Sequence, residues 1–109
     1  MKGGRRVKCF VTFRLKPGVT PEQYLEWFRS ENVPAVREMK SIESYRVWRL
    51  SGVMDGEPSW QFLEEMELED RAAFEREVEE LPEMAAMLDG WYSRVADQVV
   101  VFAEEVAQE

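Results

Sequence analysis

Four stretches of the chain are rich in aromatic and aliphatic residues, which either alternate with polar ones or run continuously, and each predicts a β-strand. The predicted strands span residues 7–16, 44–50, 60–68 and 98–106. Every second residue of the first strand is apolar, so this face is expected to lie in the core. The last strand is apolar on both faces, whereas the face assignment of the second strand is ambiguous.

A helix is predicted between the first two strands. Thr20 is its expected N-cap, a proline follows at the first helical position, and Gln23 completes a capping box. The inward stripe of this helix is apolar except for Asn32. Because Pro34 lacks a backbone donor, the helix is expected to kink or break just before it.

A second helical region follows the third strand, with Asp70 as its N-cap and Pro82 dividing it into two segments. The element order is therefore β-α-β-β-α-β. This order predicts an α+β, ferredoxin-like fold in which a four-stranded antiparallel sheet carries the helices on one face. Apolar side chains remain on the other face, and such patches usually mark an interface. We therefore expect a homodimer packed sheet against sheet.

The third predicted strand places a carboxylate, Glu64, in the middle of an otherwise apolar face. The other members of this face are Trp60, Phe62, Met66 and Leu68. A carboxylate buried there without a partner would be costly, or would bind a proton instead. Glu64 is thus the leading candidate for chemistry. The structural alternative is a buried ion pair with Arg46 or Arg49 on the neighbouring strand.

Composition narrows the classes of function. The chain of 109 residues fits one domain, residues 1–109, and its net charge of −8 argues against a nucleic-acid partner. The sequence contains no histidine, which excludes His-based triads and His-ligated metals. Cys9 is the only cysteine, so no internal disulfide is possible, and its place on the apolar face of the first strand predicts an inert core residue. No Gly-rich phosphate loop is present, so dinucleotide binding is disfavoured and no cofactor is expected. Without a calcium-loop pattern, histidine or paired cysteines, no metal is expected either.

No apolar run approaches the roughly 20 residues that span a bilayer. The basic N-terminal residues are followed by a strand rather than by a signal-type apolar region. We therefore expect a soluble cytoplasmic protein with no membrane partner.

Glu64 and Asn32 are both expected to point into the layer between sheet and helices, around a common cleft. A desolvated glutamate can act as general acid or base near neutral pH. Aromatic walls with few polar groups suit a flat aromatic substrate. The alternative role for Asn32 is capping at the helix break. The predicted substrate-binding residues are Phe13, Trp27, Phe28, Trp60, Phe62, Trp91 and Tyr92.

Short motifs spread over nearly the whole chain resemble the RedY-like proteins, the group that includes HapK. The order and spacing of these motifs carry the resemblance more than any single one does. The motifs are Phe13-Arg14-Leu15-Lys16-Pro17-Gly18-Val19, Tyr24, Trp27, Val33-Pro34, Ser41-Ile42, Tyr45-Arg46-Val47-Trp48-Arg49, Trp60-Gln61-Phe62-Leu63-Glu64 and Phe74.

This resemblance implies a dimeric α/β barrel that acts in bacterial secondary metabolism, in antibiotic-type pathways to prodiginines or carbazoles. Members are thought to cyclise or dehydrate reactive aromatic intermediates without cofactors. Glu64 matches the strand glutamate of the family and Arg49 its strand arginine. Asn32 stands where the family tends to have aspartate, so the resemblance leaves acid–base work to Glu64.

The leading hypothesis is a cofactor-independent cyclase or dehydratase acting on a planar indole- or pyrrole-derived intermediate. Glu64 would move the proton, Asn32 would hold a carbonyl or hydroxyl, and Arg49 would stabilise negative charge or tune Glu64. Two alternatives stay open. One is a cofactor-free monooxygenase acting on a quinol-like aromatic compound, and the other is a protein that shelters an unstable intermediate without a chemical step.

Overall fold

A computed structural model describes residues 7–57 and 59–109 of the chain. Its elements follow the predicted order, although most strand ends differ from the prediction by one to three residues. The strands are β1 (Val7–Leu15), β2 (Ile42–Arg49), β3 (Phe62–Leu68) and β4 (Val95–Glu104). The helices are α1 (Pro21–Trp27), a π-helical segment (Phe28–Asn32), α2 (Val33–Val36), α3 (Arg71–Glu80) and α4 (Pro82–Tyr92).

The four strands form one sheet in the order β2-β3-β1-β4, and every neighbouring pair is antiparallel. This confirms the predicted ferredoxin-like α+β fold. In the register of the sheet, Glu64 on β3 lies between Val11 on β1 and Val47 on β2. The glutamate therefore sits on a central strand with a valine on each side.

The sheet face that the sequence assigned to the core is buried. In β3 the side chains at alternate positions are almost completely covered, from Phe62 at 1% exposure to Met66 at 6%. Phe13 and Cys9 on β1 are fully buried beside them. The period-two pattern of these strands thus gave the correct inward face.

Both predicted N-caps are present. The side chain of Thr20 accepts from the backbone of Gln23 at 3.1 Å, and the Gln23 side chain accepts from the backbone of Thr20 at 3.0 Å. The carboxylate of Asp70 accepts from the backbone N–H of Ala73 at 3.0 Å. These bonds satisfy donors that the first turn of a helix leaves free, and they fix where α1 and α3 begin.

The expected disturbance before Pro34 takes the form of a π-helical turn rather than a break. The backbone N–H of Val33 donates to the carbonyl of Phe28, five residues earlier. Pro34 has no N–H to continue the ordinary ladder, and the chain passes through this wider turn into α2. A separate break occurs at Pro82, where α3 ends and α4 begins.

The sheet face away from the helices carries exposed apolar side chains. Trp48 is 47% exposed, Val99 43% and Val101 45%. The register pairs Trp48 with Leu63 on β3, which places the indole on this outer face and Val47 on the inner one. None of the helices formed by the described residues combines the length and the apolar character that a bilayer-spanning segment requires.

Candidate active site

Glu64 lies inside the layer between sheet and helices and is 5% exposed. Burial raises its pKa to about 7, and hydrogen bonds from the Tyr45 and Tyr24 hydroxyls oppose this rise only in part. Desolvation disfavours the charged carboxylate, which explains the direction of the change. At neutral pH the group is therefore divided between its acid and its base form.

Tyr24 from α1 supplies the first partner of this carboxylate. Its hydroxyl donates to Oε1 of Glu64 at 3.4 Å and accepts from Nε1 of Trp91 at 3.1 Å. The side chain of Tyr24 is fully buried. Burial, reinforced by the charge of Glu64, raises the pKa of Tyr24 well above its ordinary value. The phenol therefore stays protonated and acts as a fixed donor to Glu64.

Tyr45 from β2 lies on the opposite side of the network. Its hydroxyl donates to Oδ1 of Asn32 at 2.7 Å, and burial, together with the nearby charge of Glu64, raises the pKa of Tyr45. A phenol has one proton, so this hydroxyl can donate to Asn32 or to Glu64 but not to both. The tyrosine thus couples the amide to the carboxylate.

Asn32 ends the π-helical segment and is 3% exposed. Its side chain makes no capping hydrogen bond, so the capping role weighed from the sequence is wrong. Instead Nδ2 points at the sulfur of Met87 on α4 at 3.3 Å, while Oδ1 accepts from Tyr45. The amide of Asn32, at the end of the π-helical segment, therefore lies in the interior of the protein.

Glu64 and Asn32 line one common cavity of about 190 Å³. Tyr45, Trp91 and Tyr92 also line it, and most of the remaining wall is apolar. The structure therefore brings together four residues predicted for the site, namely the two polar groups and the two aromatic residues of α4. A cavity with apolar walls and few polar groups is typical of small-molecule sites.

A larger open groove of about 680 Å³ runs between β2 and the first helical region. Phe28, Phe62 and Arg49, all predicted for the site, line this groove rather than the cavity. Tyr45 lines both spaces. The groove and the cavity are thus adjacent, with this tyrosine at their common wall.

Three predicted substrate-binding residues lie elsewhere. Phe13 is fully buried and packs against Tyr24 with ring centroids 5.3 Å apart, so it belongs to the core. Trp27 also packs on Tyr24, at 5.7 Å, and does not line the cavity. Trp60 precedes β3, and its Nε1 donates to the carbonyl of Asp97 at 3.1 Å. The alternation predicts Trp60 on the same strand face as Glu64, but β3 begins only at Phe62.

The ion pair weighed as an alternative for Glu64 is not formed. Within the described ranges, no lysine or arginine nitrogen lies within 4.0 Å of this carboxylate. In the register of β2 and β3, Arg46 lies opposite Glu65, so its side chain projects from the other face of the sheet. Arg49, at the exposed end of β2, shares the inner face with Glu64 but lines the groove. The hydrogen-bonding groups next to the Glu64 carboxylate are the hydroxyls of Tyr24 and Tyr45 rather than an arginine.

Tyr24 and Tyr45 were missed as site residues by the sequence analysis, although the sequence holds a signal for each. Tyr24 precedes Phe28 by four positions and Asn32 by eight, so it falls near the same inward stripe. Tyr45 alternates with Val47 on the second strand, but Trp48 and Leu50 made the opposite face equally apolar. Only the pairing of Val47 with Glu64 decides which face is inward.

Cys9 is a buried thiol on β1, with no exposed surface. Burial raises its pKa to about 11. A thiol that stays protonated is a poor nucleophile and a poor metal ligand. Its position among core residues agrees with the structural role expected from the sequence.

Comparison with known proteins identifies the family. The sequence profile of the family described as REDY-like protein HapK matches residues 7–106. The chain belongs to this family. The resemblance inferred from the motifs is thereby confirmed. No curated relative matches the chain in a sequence comparison.

Solved structures share the fold at low sequence identity. A protein from Arabidopsis thaliana superposes with a TM-score of 0.80 at 14% identity, covering 94% of this chain and 98% of its own. HapK from Hahella chejuensis gives 0.72 at 16% identity, covering 94% and 95%. A dimeric ferredoxin-like protein of unknown function from Thermobifida fusca gives 0.72 at 21%, covering 94% and 93%. Identities of this size support the common fold alone.

Proposed function

We propose that the protein is a cofactor-independent cyclase or dehydratase that acts on a planar indole- or pyrrole-derived intermediate of bacterial secondary metabolism, in a carbazole- or prodiginine-type pathway. One observation carries the proposal. Glu64 is a carboxylate with a pKa of about 7 in a largely apolar cavity, and none of the residues that the structure describes gives it a cationic partner. Such a group supplies both a base and an acid near neutral pH. Membership of the REDY-like family supports the reaction class.

In the proposed reaction, the carboxylate of Glu64 removes a proton from a carbon or nitrogen of the bound intermediate. The electron pair of that bond forms a new double bond or ring bond while a hydroxyl group departs. The protonated Glu64 gives its proton to the departing hydroxyl, which leaves as water. The substrate therefore loses one water molecule, Glu64 returns to its starting form, and no electron acceptor is needed.

The two tyrosines and Asn32 position the proton in this scheme. Tyr24 holds Oε1 of Glu64 from one side through its 3.4 Å hydrogen bond. Tyr45 is able to move its proton from Asn32 towards the carboxylate when Glu64 becomes ionised. The released Oδ1 of Asn32 is then free to accept a hydrogen bond from a substrate hydroxyl. Asn32 thus keeps its predicted role of holding the substrate.

We also propose that the protein is a homodimer packed through the outer sheet face. The exposed side chains of Trp48, Val99 and Val101 form an apolar surface across this face. Apolar surface of this kind is stabilised by burial in an interface. The similar protein from Thermobifida fusca is described as dimeric, which supports this assembly.

Turnover of candidate intermediates by the native protein and by Glu64→Gln tests the proposed chemistry. The native protein is expected to remove one water molecule from a planar indole or pyrrole substrate, as measured by mass spectrometry. The glutamine variant should bind the substrate but turn it over at least about a hundredfold more slowly, the usual contribution of a general acid or base. Full turnover by a folded Glu64→Gln variant would refute the role of Glu64. Unchanged substrate bound by the native protein would favour the sheltering function instead, and oxygen consumption would favour a monooxygenase.

A further inference from the structure

The open groove beside β2 has an unusual charge for this protein. Arg29, Arg37 and Arg49 all line it, together with Glu43. Its rim thus carries two more positive charges than negative ones, although the chain as a whole has a net charge of −8. A cationic groove on a strongly acidic protein indicates a ligand with negative charge.

The three arginines come from three different elements. Arg29 belongs to the π-helical segment, Arg37 follows α2, and Arg49 ends β2. In the described part of the chain, none of their guanidinium groups lies within 4.0 Å of a carboxylate. By contrast, Arg14 and Arg71 each pair with an acidic residue. The groove arginines therefore keep their donors available for a ligand.

The floor of the groove is apolar and partly aromatic. Phe28 and Tyr45 pack against each other with ring centroids 5.6 Å apart, and both line the groove with Phe62. An apolar floor with guanidinium groups at its rim fits an amphipathic ligand, one with a flat ring and a carboxylate. Arginine is suited to this contact because its planar fork donates two parallel hydrogen bonds to a carboxylate.

The groove adjoins the cavity that Glu64 lines. Four residues line both the groove and the inner cavity, namely Val36, Met39, Ile42 and Tyr45. A ligand held at the arginines would therefore place an aromatic ring against Tyr45, on the wall shared with the cavity that Glu64 lines. This arrangement also explains why Arg49 shares the inner sheet face with Glu64 without contacting it.

We propose that Arg29, Arg37 and Arg49 bind the carboxylate of an aromatic acid whose ring lies on the floor of the groove and reaches towards the inner cavity. The proposal rests on the proposed function in one respect only, because it takes this acid to be the substrate class of the Glu64 site. Binding of the acid is independent of the chemical step. The substrate of the enzyme is accordingly a planar heteroaromatic carboxylic acid rather than a neutral ring.

Indole-2-carboxylate and the isosteric indole-2-carboxamide are suitable probes, with binding measured by calorimetry at low and high salt. The native protein is expected to bind the acid at least about tenfold more tightly than the amide at low salt, since charge-assisted hydrogen bonds are lost with the amide. High salt should reduce this difference because the groove is open to solvent.

The variants Arg29→Gln, Arg37→Gln and Arg49→Gln, singly and combined, test the three side chains. The combined variant should bind acid and amide equally, while its affinity for the amide stays close to native. Arg76→Gln is the matched control, because Arg76 is exposed on α3 and does not line the groove. It removes the same charge and should leave acid binding unchanged. If the combined variant fails to fold, the single variants still give the comparison.

Equal binding of acid and amide by the native protein would overturn the inference, and so would native affinity of the combined variant for the acid. Inorganic phosphate is the third probe. If phosphate alone displaced the acid at similar concentrations, the groove would bind anions in general and the aromatic part of the proposal would be wrong. Repeating the titrations in Glu64→Gln separates the two proposals, because acid binding should persist there whether or not Glu64 proves catalytic.

Discussion

The hydroxyl of Tyr45 on β2 donates a 2.7 Å hydrogen bond to Oδ1 of Asn32 at the end of the π-helical segment. This single proton links the two sides of the candidate site. When Glu64 is neutral, Tyr45 can serve Asn32, and when Glu64 is ionised the carboxylate competes for the same proton. The protonation state of Glu64 therefore determines whether Oδ1 of Asn32 receives the hydrogen bond from Tyr45.

The pKa of Glu64 predicts how stability depends on pH. An acid with an ordinary pKa of 4.5 and a folded-state pKa of about 7 holds its proton longer in the folded state. Between these values the unfolded state binds fewer protons, so stability falls as pH rises and becomes constant above about 7. The loss amounts to roughly 3 kcal/mol. Glu64→Gln should abolish this slope and be more stable than the native protein at pH 8, as measured by urea unfolding.

Glu65 provides a matched control for that experiment, since it is the next residue and projects from the other sheet face. A hydrogen bond from Lys8 lowers the pKa of Glu65, so its contribution to stability is present at neutral pH and lost on acidification. Glu65→Gln should therefore leave the decline between pH 4.5 and 7 in place. If both variants lost that decline equally, it would not originate at Glu64.

Catalysis should require the ionised form of Glu64. We expect kcat to rise with pH through a midpoint near 7 and then to level off, because the base form begins the reaction. The chain contains no histidine, so no imidazole can account for a transition in this range. Initial rates in overlapping buffers would measure it, and a flat profile between pH 5 and 9 would contradict the assignment.

Replacement of each tyrosine by phenylalanine should have separable effects. Tyr45→Phe removes the proton donor to Asn32 in the cavity wall, so kcat should fall and the midpoint of the pH profile should rise. Tyr24→Phe also removes a hydrogen bond to Glu64, so the midpoint should rise here too. In addition it leaves the buried Nε1 of Trp91 without its acceptor, which should cost about 1–3 kcal/mol of stability. Paired measurements of kcat and unfolding would show whether the roles divide in this way.

Gly90 on α4 is a site where a methyl group is expected to be harmful. A Cβ there would lie 3.0 Å from Nε1 of Trp27, whose indole also contacts Tyr24 and Arg94. Gly90→Ala should therefore destabilise the protein, although alanine favours a helix by about 1 kcal/mol. Thermal unfolding would measure the change.

A double mutant isolates this contact. In a Trp27→Phe background the smaller ring gives the methyl group more room, so Gly90→Ala should become stabilising by up to about 1 kcal/mol. An unchanged effect of Gly90→Ala in the two backgrounds would show that Trp27 is not the obstacle.

The proposed dimer predicts that a charge on the outer sheet face separates the subunits. Val101→Glu places a carboxylate on this apolar surface, and a monomeric mass is expected in light scattering at micromolar concentration. Met54→Glu is the control, because Met54 lies in an exposed loop outside the sheet. A monomeric native protein would refute the assembly.

Much of the fold could be predicted because its signals are local. Alternation along β1 and β3 and the caps at Thr20 and Asp70 depend on neighbouring residues only. Glu64 could be found for the same reason, as a break in a local pattern. The partners of Glu64 could not, since Tyr45 reaches the site through the register between β2 and β3, which no short stretch encodes.

The errors about individual residues have the same origin. The alternating pattern predicts a strand that includes Trp60, whereas β3 begins only at Phe62. Arg49 has the predicted face but stands at the exposed strand end, where its side chain reaches the groove instead. Both cases depend on where a strand begins or ends, and ends are the least certain part of any pattern.

The π-helical segment changes the angle around the helix axis at which the residues after it point, compared with a regular α-helix. At about 3.6 residues per turn, residues eight positions apart lie roughly 80° from each other around a straight α-helix. The wider turn at Phe28–Asn32 takes up part of this rotation, so Tyr24 and Asn32 both reach the layer next to the sheet. Regular α-helical winding of the same residues would rotate one of the two away from its partner. The wider winding of this turn is therefore itself a determinant of the site.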